Sequence, residues 1–401
     1  KNQIMSHLQY FKSNYKSTPE LQPYIPMQTT PSQLAKPPKN ASAKNNTPQV
    51  QDFSMRLPNV LPFQFGFSTA QGRRPSNEDA EIAFSTENYQ GCAIFDGHGG
   101  SGVSQLCARL FPDLLERNFD AQKQISRQII DFASVLKQTV ADLDELILQN
   151  QQFNQQGSTL TLFALYQSRA YILNIGDSKT ILQFTDRFFA SVDHKPTRHS
   201  ETERILKLQR NKSQKTLLQN FGGVTRLNGN LSLSRAIGDA YERANGIVSQ
   251  PEIFSFLIDF DGLLDGKQLS RQEFEDPDLF NYSQIAACVQ DLKFVVQGCD
   301  GLFDVLEAEE VVQVVKALTS KNSTDSGEKI ELARAMFNGQ QKEVERLARK
   351  NADWSSNYNY WLMGYQANSK ETKKRVCEVL IGMAILAGSQ DNVSVVLGLI
   401  E

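Results

Sequence analysis

The sequence predicts a mixed α and β fold in which strands and helices alternate, and three observations carry that expectation. Residues 124–150 place Ile129, Phe132, Ala133, Leu136, Val140, Leu143 and Ile147 at helical spacing, and residues 101–117 show the same period. Residues 160–166, 170–175 and 180–185 are short apolar runs at hairpin-like spacing, which read as β segments. The third observation is a repeated grammar, in which an apolar run reading as a buried strand ends in or near an acidic residue. It occurs at Cys92-Ala93-Ile94-Phe95 before Asp96, at Leu173-Asn174-Ile175-Gly176 before Asp177, and at Phe294-Val295-Val296 shortly before Asp300. Strand ends are rigid, so ligands placed there are held with precision.

Four stretches contribute acidic residues of the kind that hold two divalent metals: Glu78 and Asp79 in RRPSNEDAE, Asp96 in FDGHGG, Asp300 in CDGLFD and Asp391 in GSQDN. Hard cations such as Mg²⁺ or Mn²⁺ take oxygen ligands and keep several waters, so a set of carboxylates suits them. Other chemistries fit less well. A phosphate-cradling GxxxxGK[ST] loop is absent, because GLLDGKQ at 262–268 has the wrong spacing and no following hydroxyl. DFDGLLDGKQLS from 259 echoes a calcium loop but puts leucine at a required oxygen position and lacks the closing glutamate.

Composition narrows the class. At 401 residues, 40% hydrophobic and 22% charged, the chain has the make-up of an ordinary soluble protein, with a net charge of −3 and no basic stripe for nucleic acid. That argues against a metal-dependent nuclease. The five cysteines, at 92, 107, 288, 299 and 377, are odd in number and form no CxxC pair, so neither a disulfide framework nor a thiolate zinc site is expected. A reducing compartment, cytoplasmic or nuclear, is the expectation. No run approaches the roughly 18 apolar residues of a membrane helix, and the first 30 residues lack the apolar core of a signal peptide.

The acidic stretches, together with GST at 157–159, NIGDSK at 174–179, DHKPTRHSETERI at 193–205 and NGNLSLSRAIGD at 228–239, resemble the metal-dependent serine/threonine protein phosphatases of type 2C, from about residue 63 to the end. The resemblance implies a four-layer α/β/β/α sandwich: two antiparallel sheets flanked by helices, with a dimetal cleft at one end. It implies that Asp96 bridges two cations, that the Gly97 carbonyl and Glu78 complete the second, and that Asp300 and Asp391 hold the first. Asp79 falls one step behind, accepting a hydrogen bond from a metal-bound water. Asp177 falls where an acidic residue helps hold a third, weaker cation. Arg74 matches the arginine that grips the substrate phosphate, with Arg73 as its confounder, and His98 matches the general acid. Gly97, Gly99 and Gly100 would permit the turn that brings a carbonyl to the metal. His194 and His199 read as structural.

The implied activity is hydrolysis of phosphoserine and phosphothreonine in proteins by a dimetal-activated water, without a covalent intermediate. The rival is a pseudophosphatase scaffold, which the retained acids, Arg74 and His98 oppose. Arg226 falls in the flap beside the cleft, and the stretch ahead of it carries Lys207, Arg210, Lys212 and Lys215, a basic flap for acidic phosphopeptides or else a solvated helix face.

The chain divides into a polar tail over residues 1–55 and a catalytic domain over 56–401. Tail composition does not favour independent folding, so docking on its own domain or on a neighbour is expected. Two segments exceed the compact length of the family: 254–290, with an acidic cluster, and 319–372, with a helical stretch followed by Trp354, Tyr358, Tyr360, Trp361 and Tyr365. Large aromatics outside a core are enriched at interfaces, so this insertion and the tail are expected to dock the enzyme in a larger assembly. The alternative is that the insertion packs its aromatics back onto its own domain.

Overall fold

The computed structural model describes residues 63–125, 130–212, 218–258, 291–320 and 325–400. The tail, most of the acidic segment 254–290 and Lys215 lie outside the described residues.

In chain order, the first strands are β1 (Phe63–Ala70), β2 (Ala80–Ser85), β3 (Tyr89–Phe95) and the short β4 (Gly97–His98). Helices α1 (Gly102–Ile125) and α2 (Phe132–Leu148) follow, then β5 (Gly157–Ser158), β6 (Leu160–Tyr166), β7 (Arg169–Ile175), β8 (Lys179–Phe184) and β9 (Phe188–Ala190). Helix α3 (His199–Lys212) leads to the hairpin β10 (Leu218–Phe221) and β11 (Val224–Leu227), then β12 (Ile237–Gly238), β13 (Glu252–Leu257) and β14 (Leu292–Gly298). The C-terminal part holds α4 (Asp300–Phe303), α5 (Ala308–Thr319), α6 (Glu328–Phe337), α7 (Gln341–Ala348), α8 (Ala352–Leu362), α9 (Thr372–Ala387) and β15 (Val393–Ile400).

Two antiparallel sheets form, in the orders β1-β15-β14-β8-β9 and β13-β7-β6-β3-β2. The central strands β3, β6, β7, β8, β14 and β15 are buried on both faces over most of their length, and the period of two sorts each side chain to one of two destinations. Cys92, Ile94, Phe163, Leu165 and Ile172 meet Leu182, Phe184, Val295 and Val396 between the sheets. Ala93, Phe95, Leu162 and Leu173 point outward onto Cys107, Phe111 and Leu115 of α1 and Leu136 and Leu143 of α2. On the far side, Val296, Val395 and Leu397 pack against α5, α6, α7, α8 and α9. The α/β/β/α sandwich is therefore the observed layering. Local signals start the helices: Asp131 caps α2 by accepting from the Ser134 N–H at 3.2 Å, and Asn351 caps α8 by accepting from the Asp353 and Trp354 N–H groups.

The segment 319–372 overturns one expectation. It supplies three helices of the outer layer, and Trp354, Tyr358 and Trp361 are only 6%, 7% and 2% exposed within that layer's core. They hold the domain together and are not a docking surface. Truncating such a side chain to alanine costs about 3–5 kcal/mol.

Register brings the acidic positions to one end of the sandwich. Ala80 faces Phe95, so Asp79 ahead of β2 lies beside Asp96 after β3. Gly298 faces Val395, so Asp300 after β14 lies beside Asp391 ahead of β15. A small three-stranded sheet, β12-β5-β4, covers this end and joins the DGH, GST and AIGD motifs through the pairs Gly97↔Ser158 and Ile237↔Ser158.

Candidate active site

The strand ends open into a cleft lined by Arg74, Glu78, Asp96, Gly97, His98, Thr159, Asp177, Arg226, Asp300, Asp391 and Asn392. With Gly99, which also lines the cleft, ten of the residues singled out from the sequence thus meet in one place, and Asp79 lies behind them, buried. Gly301 makes part of this convergence possible: a Cβ there would stand 2.0 Å from the Asn392 carbonyl oxygen, so only glycine lets the turn after Asp300 press against the chain at Asp391. Gly99 and Gly100 both take positive φ in the turn after His98.

So many acids packed together cannot all be ionised cheaply. Burial pushes the Asp96 carboxyl well above its usual range, and the charges of Asp300, Asp79, Asp177 and Asp391 push it further. Asp300 is raised in the same way, first by burial and then by Asp177 and Asp391. Asp79 is raised to about 6 by burial, although Ser394 Oγ donates to its Oδ2 at 2.6 Å. One carboxylate oxygen each of Asp79 and Asp96 lies with the Cys299 sulfur inside a 4.8 Å cluster. Burial and the neighbouring acids hold Cys299 as a thiol, which donates to the Asn392 carbonyl and accepts from the Ser394 N–H. The ligands on offer are therefore hard oxygens, and the crowding of acids is what divalent cations would relieve.

Glu78 is fixed from two sides. Its N–H donates to Asn392 Oδ1 at 2.9 Å, and its carboxylate accepts from the Gly100 N–H at 3.2 Å. Asn392 also donates from Nδ2 to the Gln71 and Ser76 carbonyls, at 2.7 and 2.9 Å, so one amide stitches the Arg74–Glu78 loop to Asp391. At the lip of the cleft Arg74 Nη2 donates to Asp391 Oδ2 at 2.5 Å, with the arginine side chain 56% exposed. Arg73 turns the other way. Its guanidinium lies 4.1 Å over the Tyr360 ring and donates to Asn357, which separates it from the site.

His98 lies on β4 with Nε2 2.7 Å from Asp239 Oδ2. Burial alone would lower the imidazole pKa, but the hydrogen bond and charge of Asp239, with Asp177 and Glu78, raise it above the ordinary value. The ring is thereby kept ready to give up a proton. Asp177 is ion-paired to the Lys195 ammonium, which also sits in the field of Asp300 and Asp304. Arg226 on β11 donates to the Asn230 carbonyl at 2.6 Å beside the cleft. His194 is buried, with Nδ1 accepting from the Gly176 N–H, and exposed His199 faces Glu203 on α3, so both stand outside the site.

Sequence reasoning singled out neither Asp239, Lys195, Asn392 nor Cys299 as site residues, although each falls inside a motif already quoted.

Comparison with known proteins bears on this site. A family model described as Protein phosphatase 2C matches residues 63–340. Protein phosphatase 2C homolog 3 of Schizosaccharomyces pombe is 31% identical over 264 residues, which is 63% of this chain and 54% of that protein. Protein phosphatase 2C 1 of Paramecium tetraurelia is 30% identical over 275 residues, 63% of this chain and 77% of that protein. The chain thus spans about half the length of the first relative and about three quarters of the second. Among solved structures, a C. elegans sex determining protein aligns with a TM-score of 0.58 at 20% identity, over 85% of this chain and 66% of that one. A phosphatase from a pathogenic strain of Toxoplasma gondii aligns with a TM-score of 0.50 at 18% identity, over 86% of this chain and 94% of that one. These two show a shared fold.

Proposed function

From the premise that this chain belongs to the protein phosphatase 2C family, we propose that it hydrolyses phosphoserine and phosphothreonine in proteins, using Mg²⁺ or Mn²⁺ at the strand-end cleft. The observation that carries this reading is the convergence of Glu78, Asp96, Asp300 and Asp391 with Arg74 and His98 in one cleft, from segments more than 300 residues apart. Glu78, Asp96, the Gly97 carbonyl, Asp300 and Asp391 would hold two cations, with Asp79 one step behind and Asp177 beside a weaker third position. Bound there, the cations supply Lewis-acid charge and lower the pKa of a water for in-line attack on phosphorus.

The protein's own side chains do the rest. Arg74, at the lip, presents a planar guanidinium fork that suits two phosphate oxygens. Asp391 orients it from below. His98 supplies the proton that the serine or threonine oxygen needs as it leaves. With Nε2 engaged by Asp239, donation falls to Nδ1. Arg226 and the hairpin β10–β11 flank the entrance and face the residues around the phosphorylated one.

A silent scaffold is the rival reading, and the full set of acids together with Arg74 and His98 opposes it. Mn²⁺-dependent phosphate release from a phosphoserine peptide tests the choice. Turnover that disappears with EDTA and returns with Mn²⁺ supports the enzyme, whereas metal binding without turnover supports the scaffold. The reading also includes a reducing compartment, cytoplasmic or nuclear, in keeping with the free, buried cysteines 92, 107, 299 and 377. Docking to a larger assembly is assigned to the tail alone. Deleting residues 1–50 should keep turnover and abolish co-purification with that assembly.

A further inference from the structure

We propose that Tyr360 of α8, with Tyr365 just past its end, positions Arg74, so that the helical insertion fixes the phosphate-binding arginine; the inference rests on the reading of Arg74 given above. The loop from Gln71 to Asn77 carries Arg74 between β1 and Glu78. Its Gly72 carbonyl accepts hydrogen bonds from both phenols, from Tyr360 Oη at 2.5 Å and from Tyr365 Oη at 3.3 Å. The phenol oxygens are 3.0 Å apart, and their rings pack at 5.2 Å.

Arg73 adds a second fastening on the same helix. Its guanidinium lies 4.1 Å over the Tyr360 ring, a cation–π contact, and its Nη2 donates to Asn357 Oδ1 at 3.1 Å. Asn357 is itself pinned, donating to the Leu386 carbonyl of α9 at 3.2 Å. Consecutive arginines are thereby sent in opposite directions, Arg73 onto the helical layer and Arg74 into the cleft. The loop has no slack on its other side. Gly72 takes φ +60, and a Cβ there would stand 1.9 Å from the Asp391 carbonyl oxygen. The chain at Gly72 is therefore held between α8 and the segment that carries Asp391.

The platform is rigid because the buried Trp354, Tyr358 and Trp361 anchor α8 in the core. Tyr360 falls off that buried stripe and is spare for the loop. Arg74 has a long, largely exposed side chain, and phosphate binding must meet the entropy cost of fixing it. Clamping its backbone two residues away removes part of that cost before substrate arrives. Tyr360 acts through Arg74, as a positioning residue, and touches no substrate.

The test is a double-mutant cycle on the full chain, with Tyr360→Phe, which removes the O–H and keeps the ring, and Arg74→Ala. The readouts are inhibition by inorganic phosphate and KM and kcat for a phosphoserine peptide, at saturating Mn²⁺. Tyr360→Phe is expected to weaken phosphate inhibition and raise KM by about fivefold, the worth of one hydrogen bond, with the loss falling on KM more than kcat. In the Arg74→Ala background the same change should have less than about a twofold effect, because coupled residues are non-additive. Tyr360→Leu, which removes ring and hydroxyl together, should give a larger loss with the same dependence on Arg74. Equal losses in both backgrounds, or unchanged phosphate inhibition in Tyr360→Phe and Tyr360→Leu, would overturn the inference. If Arg74→Ala alone leaves phosphate inhibition intact, the reading of Arg74 fails first, and the inference falls with it.

Discussion

His98 and Asp239, 141 positions apart in the chain, meet through a 2.7 Å contact between imidazole Nε2 and carboxylate Oδ2. The three-stranded sheet β12-β5-β4 creates that contact by aligning the DGH and AIGD motifs on either side of β5. Asp239 sits at φ 50, a left-handed conformation that is costly for a residue with a side chain.

That pair predicts a dependence on leaving group. Asp239→Asn removes the charge that holds His98 protonated, so turnover of a phosphoserine peptide should fall by roughly 10²-fold, as for loss of general-acid assistance. An aryl phosphate, whose phenolate leaves without help, should lose far less. Steady-state kinetics on both substrates check this, and equal losses on the two would make the pair structural.

Stability of the metal-free protein should depend on pH in an unusual direction. Asp79 is raised from 3.8 to about 6, and burial raises Asp96 and Asp300 above the ordinary carboxylate range. The folded state therefore keeps protons that the unfolded chain has released. Their stabilising contribution is complete below the unfolded carboxylate pKa and is lost as pH rises through the folded values. Thermal melts in EDTA should show Tm falling as pH rises from about 4 through about 6, the span of the Asp79 shift, with Mn²⁺ restoring it at the higher pH, since a ligand that binds only the folded state stabilises it. A metal-free Tm that climbs over that interval would contradict the assignment.

Lys195 already supplies one positive charge to the acid cluster, through its ion pair with Asp177. Replacing it with Gln should free that carboxylate and strengthen a weak cation position, visible as tighter or additional Mn²⁺ binding in equilibrium dialysis. Identical binding isotherms for the two proteins would show that Lys195 does not compete with cations.

Much of this site was legible because the candidate ligands sit inside local patterns: Asp96, Asp177 and Asp300 follow apolar strands, Glu78 and Asp391 lie in short motifs just ahead of strands, and strand ends gather wherever antiparallel neighbours are in register. The partners of those ligands were not legible. Asp239, Lys195 and Asn392 act on groups brought close only by tertiary pairing, and no local period distinguishes them from turn residues. The aromatics of α8 did carry a readable signal: Trp354, Tyr358 and Trp361 recur at i, i+4 and i+7, the spacing of a buried helical stripe. That period assigns them to the core and not to the surface. Tyr360 and Tyr365 fall off the stripe, which is why they are free to hold the Gly72 carbonyl.

Asp96 offers the most direct test of a two-cation phosphatase, because it lies among Asp79, Asp177, Asp300 and Asp391 and would serve both cations. Phosphate release from a phosphoserine peptide should be followed as Mn²⁺ is titrated into the parent protein and into Asp96→Asn. The parent should turn over with a saturable Mn²⁺ requirement, and the variant should lose at least about 10²-fold in rate together with Mn²⁺ affinity, as when a preorganised electrostatic group is deleted. Near-parental, Mn²⁺-dependent turnover in Asp96→Asn would contradict the account.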